Sequence, residues 1–243
     1  MTSTSRSPSV LVAAVAVAGG VVFVGALGIG VVAYAVWFAA AAGPWSPAAG
    51  LPAFAVNAAL FTGFAFHHSL FARTRMRRWV ATRVSPALER TVYVWVASIL
   101  FVALCWAWRA VPGVAWRVGP PWSLVLAGLQ IAGVWVSLQG ARQLDVWDLA
   151  GLRQARGRTV QREQGVIRGG LYSLVRHPIY FGWLLMVWPA ATMTGTRLAF
   201  ASLSTAYLLI AIPIEERTLR RDFGAEYDAY AAAVRWRIVP FLY

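Results

Sequence analysis

The sequence contains no lysine and a single cysteine, Cys105, in 243 residues. One cysteine excludes an intrachain disulfide framework and a thiolate metal cluster. Acidic residues are scarce too, 9 against 22 basic ones, and every basic residue is an arginine. Charged residues make up only 13% of the chain against 59% hydrophobic, and the mean hydropathy is +0.61. A soluble domain of this size cannot cover its surface with so little charge, so the composition predicts an integral membrane protein. No Gly-x-Gly-x-x-Gly stands between a strand and a helix, so no soluble dinucleotide-type fold is encoded. The pI of about 11.3 raises the question of nucleic acid, but the arginines sit between apolar segments. They predict membrane topology with anionic lipids as partners, and no nucleic acid.

What is present is a series of apolar runs: Val10 to Ala42, Pro52 to Ala72, Thr91 to Ala107, Trp122 to Gln139, Ile179 to Met193 and Leu198 to Ile214. A bilayer core of about 30 Å needs about 20 helical residues, with about 17 as a lower bound. The expected fold is an all-α integral membrane protein with about six transmembrane helices, the last two forming a C-terminal hairpin. The first run is longer than the roughly 7 to 15 apolar residues of a signal peptide, and is expected to be a true span. Its Gly19, Gly20, Gly25, Gly28 and Gly30 suit close helix packing. Two regions are expected: residues 1–145 as a four-helix transmembrane part, and 146–243 as a catalytic part that binds a cofactor.

Orientation follows from the arginines, which favour cytoplasmic loops. The segments Arg73 to Arg90 and Arg142 to Arg176 are rich in them, whereas Gly43 to Gly50, Val111 to Pro121 and Thr194 to Arg197 carry almost no charge. The expectation is therefore a bacterial inner membrane protein, with both termini and the active site cytoplasmic. Tryptophans such as Trp37, Trp45, Trp106, Trp122 and Trp188 fall near span ends, as an aromatic belt does.

Polar residues cluster where the fifth span begins, at Gly170-Leu171-Tyr172-Ser173-Leu174-Val175-Arg176-His177-Pro178-Ile179-Tyr180-Phe181-Gly182. Pro178 suits the first helical turn, which places Arg176 and His177 at its mouth. Free N–H groups at a helix N-terminus favour an anion, and Arg176 adds to that preference. Across the hairpin, Glu215 and Glu216 end the sixth span, where a carboxylate is expensive unless it faces protein, water or a cation. Phe223, Tyr227, Tyr230 and Val234 then recur at helical spacing and predict an interfacial amphipathic helix. An anion seat facing a carboxylate suits a zwitterionic ligand.

Gly-x-Tyr-x-x-x-Arg-His-Pro-x-Tyr-x-Gly, then Glu-Glu-x-x-Leu, then Phe-Gly-x-x-Tyr-x-x-Tyr and a closing Val239-Pro240, resembles the isoprenylcysteine carboxyl methyltransferase and phospholipid methyltransferase superfamily. The likeness covers roughly Gln164 to Pro240. Upstream, His68-Ser69-Leu70-Phe71-Ala72-Arg73, Pro86-x-x-Glu89-Arg90-x-x-Tyr93, Trp108-Arg109-x-x-Pro112-Gly113 and Asp148-Leu149-x-Gly151-Leu152-Arg153-Gln154 look like the NnrU-like and methanethiol S-methyltransferase group.

The resemblance implies a membrane-embedded methyltransferase using S-adenosylmethionine. By it, Gln164, Gly165, Val166 and Ile167 line the nucleoside and Tyr172 is the aromatic contact. His177, Pro178, Ile179 and Tyr180 turn around the methionyl portion. Glu215, with Glu216 beside it, meets the amino group. His68, Arg176 and His177 are the candidate catalytic residues; His68 either accepts a thiol proton or hydrogen-bonds the hairpin. No metal is expected, because the adjacent His67 and His68 point about 100° apart on a helix.

The prenylcysteine branch places an arginine one helical turn before the first acid, where this chain has Ala211. The expected acceptor is a small lipophilic thiol such as methanethiol, attacking the methyl group directly. The alternatives are an isoprenoid carboxylate or a lipid amine as acceptor, or, since the hairpin also resembles sterol reductases, an NADPH-dependent reductase.

Overall fold

A computed structural model describes residues 10–71, 82–84, 88–144 and 165–243. The arginine-rich stretches 72–81 and 145–164, with Gln164, lie outside the described residues. The described chain is mostly helical and forms two compact units.

The first unit is built on α1 (Val10–Val32), which runs on into a π-helical segment from Ala33 to Trp37, on α2 (Pro47–Phe71) from Ala58 onward, and on α3 (Glu89–Ala107). No acid or base stands in the first or last turn of α1, and valines cover its outer face, as suits a helix whose solvent is lipid. It packs on α3 through two of its glycines. A Cβ on Gly19 would stand 3.1 Å from Thr91 Cγ2, and one on Gly30 2.6 Å from Phe101 Cε1, whereas Gly25 and Gly28 face open space. Trp95 Nε1 donates to Val15 O at 3.4 Å across the same contact. The close-packing role expected of the first span therefore falls on Gly19 and Gly30.

The second unit contains the first turns of α2, a strand β1 (Val114–Arg117), α4 (Trp122–Gln143), a 3-10 turn (Gly170–Ser173), α5 (Pro178–Val187), β2 (Thr192–Thr194), α6 (Gly195–Phe223) and α7 (Ala225–Ala233). Its centre is the contact of α4 with α5. A Cβ on Gly133 would lie 2.6 Å from Gly182 O and Met186 N, and one on Gly140 3.0 Å from Ile179 Cγ1, so both helices approach backbone to backbone. Two polar side chains of α4 reach across: Ser137 Oγ donates to Ile179 O at 3.1 Å and Gln130 Nε2 to Met186 O at 2.8 Å. Small residues and interhelical hydrogen bonds hold helices together in lipid, where burial of apolar surface gives no drive. Gly182→Val is expected to separate them, since overpacking of this kind costs about 1–3 kcal/mol or more; a fall in the melting temperature of the detergent-purified protein checks it.

The weakly charged connections expected to face outward pair with each other. Val114, Trp116 and Arg117 of β1 stand opposite Thr194, Met193 and Thr192 of β2, antiparallel, with an irregularity between Val114 and Trp116. Trp116 Nε1 adds a bond to Ala190 O at 2.9 Å. Gly113, at φ +93°, accepts from Gly195 N at 2.8 Å, so the ribbon leads directly into α6. Thr194 caps α6 by accepting from Arg197 N at 3.2 Å.

Four described helical segments are long and apolar enough to cross a membrane: Ala14–Trp37, Pro47–Leu70, Trp122–Gln143 and Gly195–Phe223. The other two expected spans are shorter apolar helices, Thr91–Ala107 and Pro178–Val187. Several boundaries need correction, and the sixth helix runs on to Phe223 rather than ending at Ile214, so Glu215 and Glu216 lie about two turns inside it. The first span ends at Trp37 rather than Ala42, and the fifth at Val187 rather than Met193. Pro189 explains the second, because it lacks an N–H and disfavours helix at Trp188, and Met193 then belongs to β2. With ten residues α5 is about 15 Å long, half the hydrocarbon core.

Candidate active site

The site is assembled within the second unit, where α5 begins, α6 nears its end and the chain after α7 returns. Pro178 is the first residue of α5 and His177 its N-cap, with a non-helical backbone at φ −125° and ψ 66°. The preceding residues hydrogen-bond to the C-terminal segment: Arg176 N donates to Trp236 O at 2.9 Å and His177 N to Arg237 O at 2.8 Å. This pairing fixes Arg176 and His177 against Glu215 and Glu216 in the last third of α6.

The two adjacent acids of α6 have opposite surroundings. The side chain of Glu216 is 0% exposed and that of Glu215 45%. Glu216 Oε1 accepts from Arg176 Nε at 2.7 Å and Glu216 Oε2 from Arg237 Nε at 3.2 Å. Arg176 Nη1 also reaches carbonyls at the end of α7, Val234 O at 2.8 Å, Arg235 O at 3.2 Å and Ala231 O at 3.3 Å. A cation there satisfies carbonyls that a helix C-terminus leaves without partners. Arg237 is held in turn by Tyr243, whose hydroxyl accepts from Nη1 at 3.0 Å. The Nε and Nη1 groups of Arg176 thus serve an internal pair and a helix end, whereas its position at the mouth of α5 suggested an anion seat.

Glu215 is the accessible acid. Its Oε2 accepts from the Tyr180 hydroxyl at 2.9 Å and lies 3.8 Å from His177 Nδ1. The His177 ring stacks on Tyr180 with centroids 5.4 Å apart and planes 9° off parallel. On its other edge His177 Nε2 is buried 3.4 Å from Glu216 Oε1, near it but out of hydrogen-bond alignment. The imidazole therefore stands between the two carboxylates and braces the tyrosine that orients one of them.

Tyr172 closes another side. Its hydroxyl donates to Gly140 O at 3.4 Å and its carbonyl accepts from Tyr230 Oη at 2.8 Å, tying the 3-10 turn to α4 and α7. Burial, with the nearby Glu215 charge adding to it, raises the Tyr172 phenol far above its usual range, and burial pushes Tyr230 up to about 12. Both remain neutral donors at any physiological pH. Tyr227, Tyr230 and Val234 form a small core with Val166 and Leu219 packed against it.

The structure brings Val166, Tyr172, Arg176, His177, Pro178, Tyr180, Glu215 and Glu216 into one unit. His68 belongs to the other unit, where its Nδ1 and the Tyr93 hydroxyl share a hydrogen bond at 2.9 Å and its ring stacks on Phe64. Arg237, the second cation on Glu216, is not among the residues that the sequence motifs single out. Its spacing from Val239-Pro240 was the available signal.

Residues 122–226 match the model of the phospholipid methyltransferase family. Over 192 residues, 77% of this chain and 73% of the relative, the sequence is 36% identical to methanethiol S-methyltransferase 2 of Bradyrhizobium diazoefficiens. The chain belongs to the methanethiol S-methyltransferase family. It is also 36% identical over 190 residues to the methanethiol S-methyltransferase of Mycobacterium tuberculosis, covering 74% of this chain and 75% of that one. This membrane methyltransferase thus carries its family-matched region from α4 to the first turn of α7, which includes Tyr172, Arg176, His177, Tyr180, Glu215 and Glu216. A methyl donor with an ammonium group fits these residues, since Glu215 is an oriented and accessible carboxylate beside a neutral phenol.

Proposed function

We propose that the methyltransferase transfers a methyl group from S-adenosylmethionine to a small apolar thiol. The observation that carries this reading is the division of labour between the two acids. Glu216 is consumed by Arg176 and Arg237, while Glu215 is oriented by Tyr180 and left open to a cation. When bound, S-adenosylmethionine supplies an electrophilic methyl group on a sulfonium. Glu215 takes the donor's ammonium, and Tyr180, braced by His177, keeps the carboxylate in one rotamer. His177 to Tyr180 surround the methionyl portion. Gly165 to Ile167, with Gln164 before them, line the nucleoside, and Tyr172 covers it.

The chain's task is to hold sulfur, methyl and leaving sulfur in line; orientation of that kind reaches effective molarities of about 10⁵ to 10⁸ M without a covalent intermediate. The acceptor reaches the site laterally from the bilayer. Ala211, one turn before Glu215, provides no cation for a carboxylate acceptor, which favours a thiol over an isoprenoid acid. The names of the relatives favour it over a reductase as well.

The shorter helices α3 and α5 complete a six-helix array, and the catalytic region reaches back to α4, on which α5 packs. Arginine distribution supports a cytoplasmic location for this region in a bacterial inner membrane, with both ends of the array inside.

Purified enzyme given methanethiol and methyl-labelled S-adenosylmethionine is expected to release labelled dimethyl sulfide. Label recovered only in a lipid extract, or heat protection by NADPH but not by S-adenosylmethionine, would overturn the assignment.

A further inference from the structure

One acid near the site has no part in the reading above. Glu226 lies in the first turn of α7, where a carboxylate is favoured by the helix dipole. It faces the segment Gly165 to Arg168, which belongs to neither a helix nor a strand. Val166 N donates to Glu226 Oε1 at 2.9 Å. Arg168 Nη2 lies 3.3 Å from the same oxygen and donates to Glu226 O at 3.2 Å. A Cβ on Gly165 would stand 2.6 Å from Glu226 Oε1 and 3.1 Å from Oε2, so a side chain there would push the carboxylate from its present place.

We infer that Glu226 is a positioning residue of the donor site, holding the Gly165 to Arg168 backbone against the start of α7. This rests on the reading that Gly165 to Ile167 line the nucleoside. A segment without helix or strand bonding has no ladder to set its backbone, so a side-chain anchor decides where its N–H and C=O groups point. The anchor is peripheral to the core: the side chains of Glu226 and Arg168 are 42% and 50% exposed, and exposed pairs add little to global stability. Glu226 therefore acts on donor affinity and hardly on folding.

The test measures donor KM, acceptor KM, kcat and the melting temperature without donor in E226A, E226Q, G165A and the G165A/E226A double variant. E226A is expected to raise donor KM about fivefold, the equivalent of one lost hydrogen bond, with acceptor KM, kcat and melting unchanged. E226Q recovers part of the loss, because its amide oxygen still accepts from Val166. G165A raises donor KM as well, and the double variant is no worse than E226A, since the nearest atoms that the added methyl group would meet belong to the Glu226 carboxyl group. Unchanged donor KM in E226A, additive effects in the double variant, or a fall in melting temperature alone would each overturn the inference. Loss of heat protection in Glu215→Ala beside unchanged donor KM in E226A removes this inference and leaves the proposed function standing. Retained protection in Glu215→Ala removes the reading beneath it.

Discussion

Glu215→Ala is expected to yield a folded protein that S-adenosylmethionine no longer protects against heat. A ligand that binds only the folded state stabilises it by RT ln(1 + [L]/Kd), so the thermal shift reports donor affinity without any acceptor. Glu215 is half exposed and bonded to Tyr180, a neutral partner, so its removal strands no buried charge. Its absence leaves the donor's ammonium without a counter-ion. A hydrogen bond to a charged group contributes about 1.5–3 kcal/mol, equivalent to about 10- to 150-fold in affinity. Methyl transfer falls further, because a donor loose at its amino end holds its methyl group poorly. Tyr180→Phe keeps the carboxylate but frees its rotamer, so a loss of about fivefold is expected, one neutral hydrogen bond. Full protection of Glu215→Ala by S-adenosylmethionine would remove Glu215 from the donor site.

Glu216→Ala is expected to fail in the opposite way, by loss of the fold. Glu216 is fully buried, and its removal leaves the guanidinium groups of Arg176 and Arg237 facing each other without an anion. Breaking one side of a buried ion pair costs about 3–5 kcal/mol, chiefly through the charge left behind, and in a chain of this length that lowers the melting temperature by about ten degrees. Arg176 also closes the carbonyl end of α7, so the Arg176 N to Trp236 O pairing should loosen at the same time. Tryptophan fluorescence during heating, without donor, separates the two variants. A Glu216→Ala protein as stable as wild type would contradict the geometry of the pair.

Much of the fold was legible. The apolar runs mark the helices because a lipid-embedded backbone must satisfy its own hydrogen bonds, and helices do so segment by segment. Helix ends were less legible, since hydropathy reports solvent and not backbone geometry. Pro189 stops α5 inside an apolar run, and Thr192 to Thr194 pair with β1, a partner far away in sequence. The motifs of the candidate site were legible as a constellation, because Arg176, His177, Tyr180, Glu215 and Glu216 together resemble a family pattern that none of them carries alone.

From composition and motif the chain alone declares a membrane methyltransferase, and it puts two acids opposite an Arg-His-Pro turn. It does not say which acid is available. Adjacent residues on a helix point about 100° apart, so one can face the interior and the other stay accessible with no change in pattern. Tertiary packing made that choice when the segment from Trp236 to Tyr243 folded back and brought Arg237 to Glu216. It also moved Arg176 from the anion seat that its place at a helix mouth suggested to a buried pair, because a guanidinium with an acid and carbonyls in reach satisfies all of them at once.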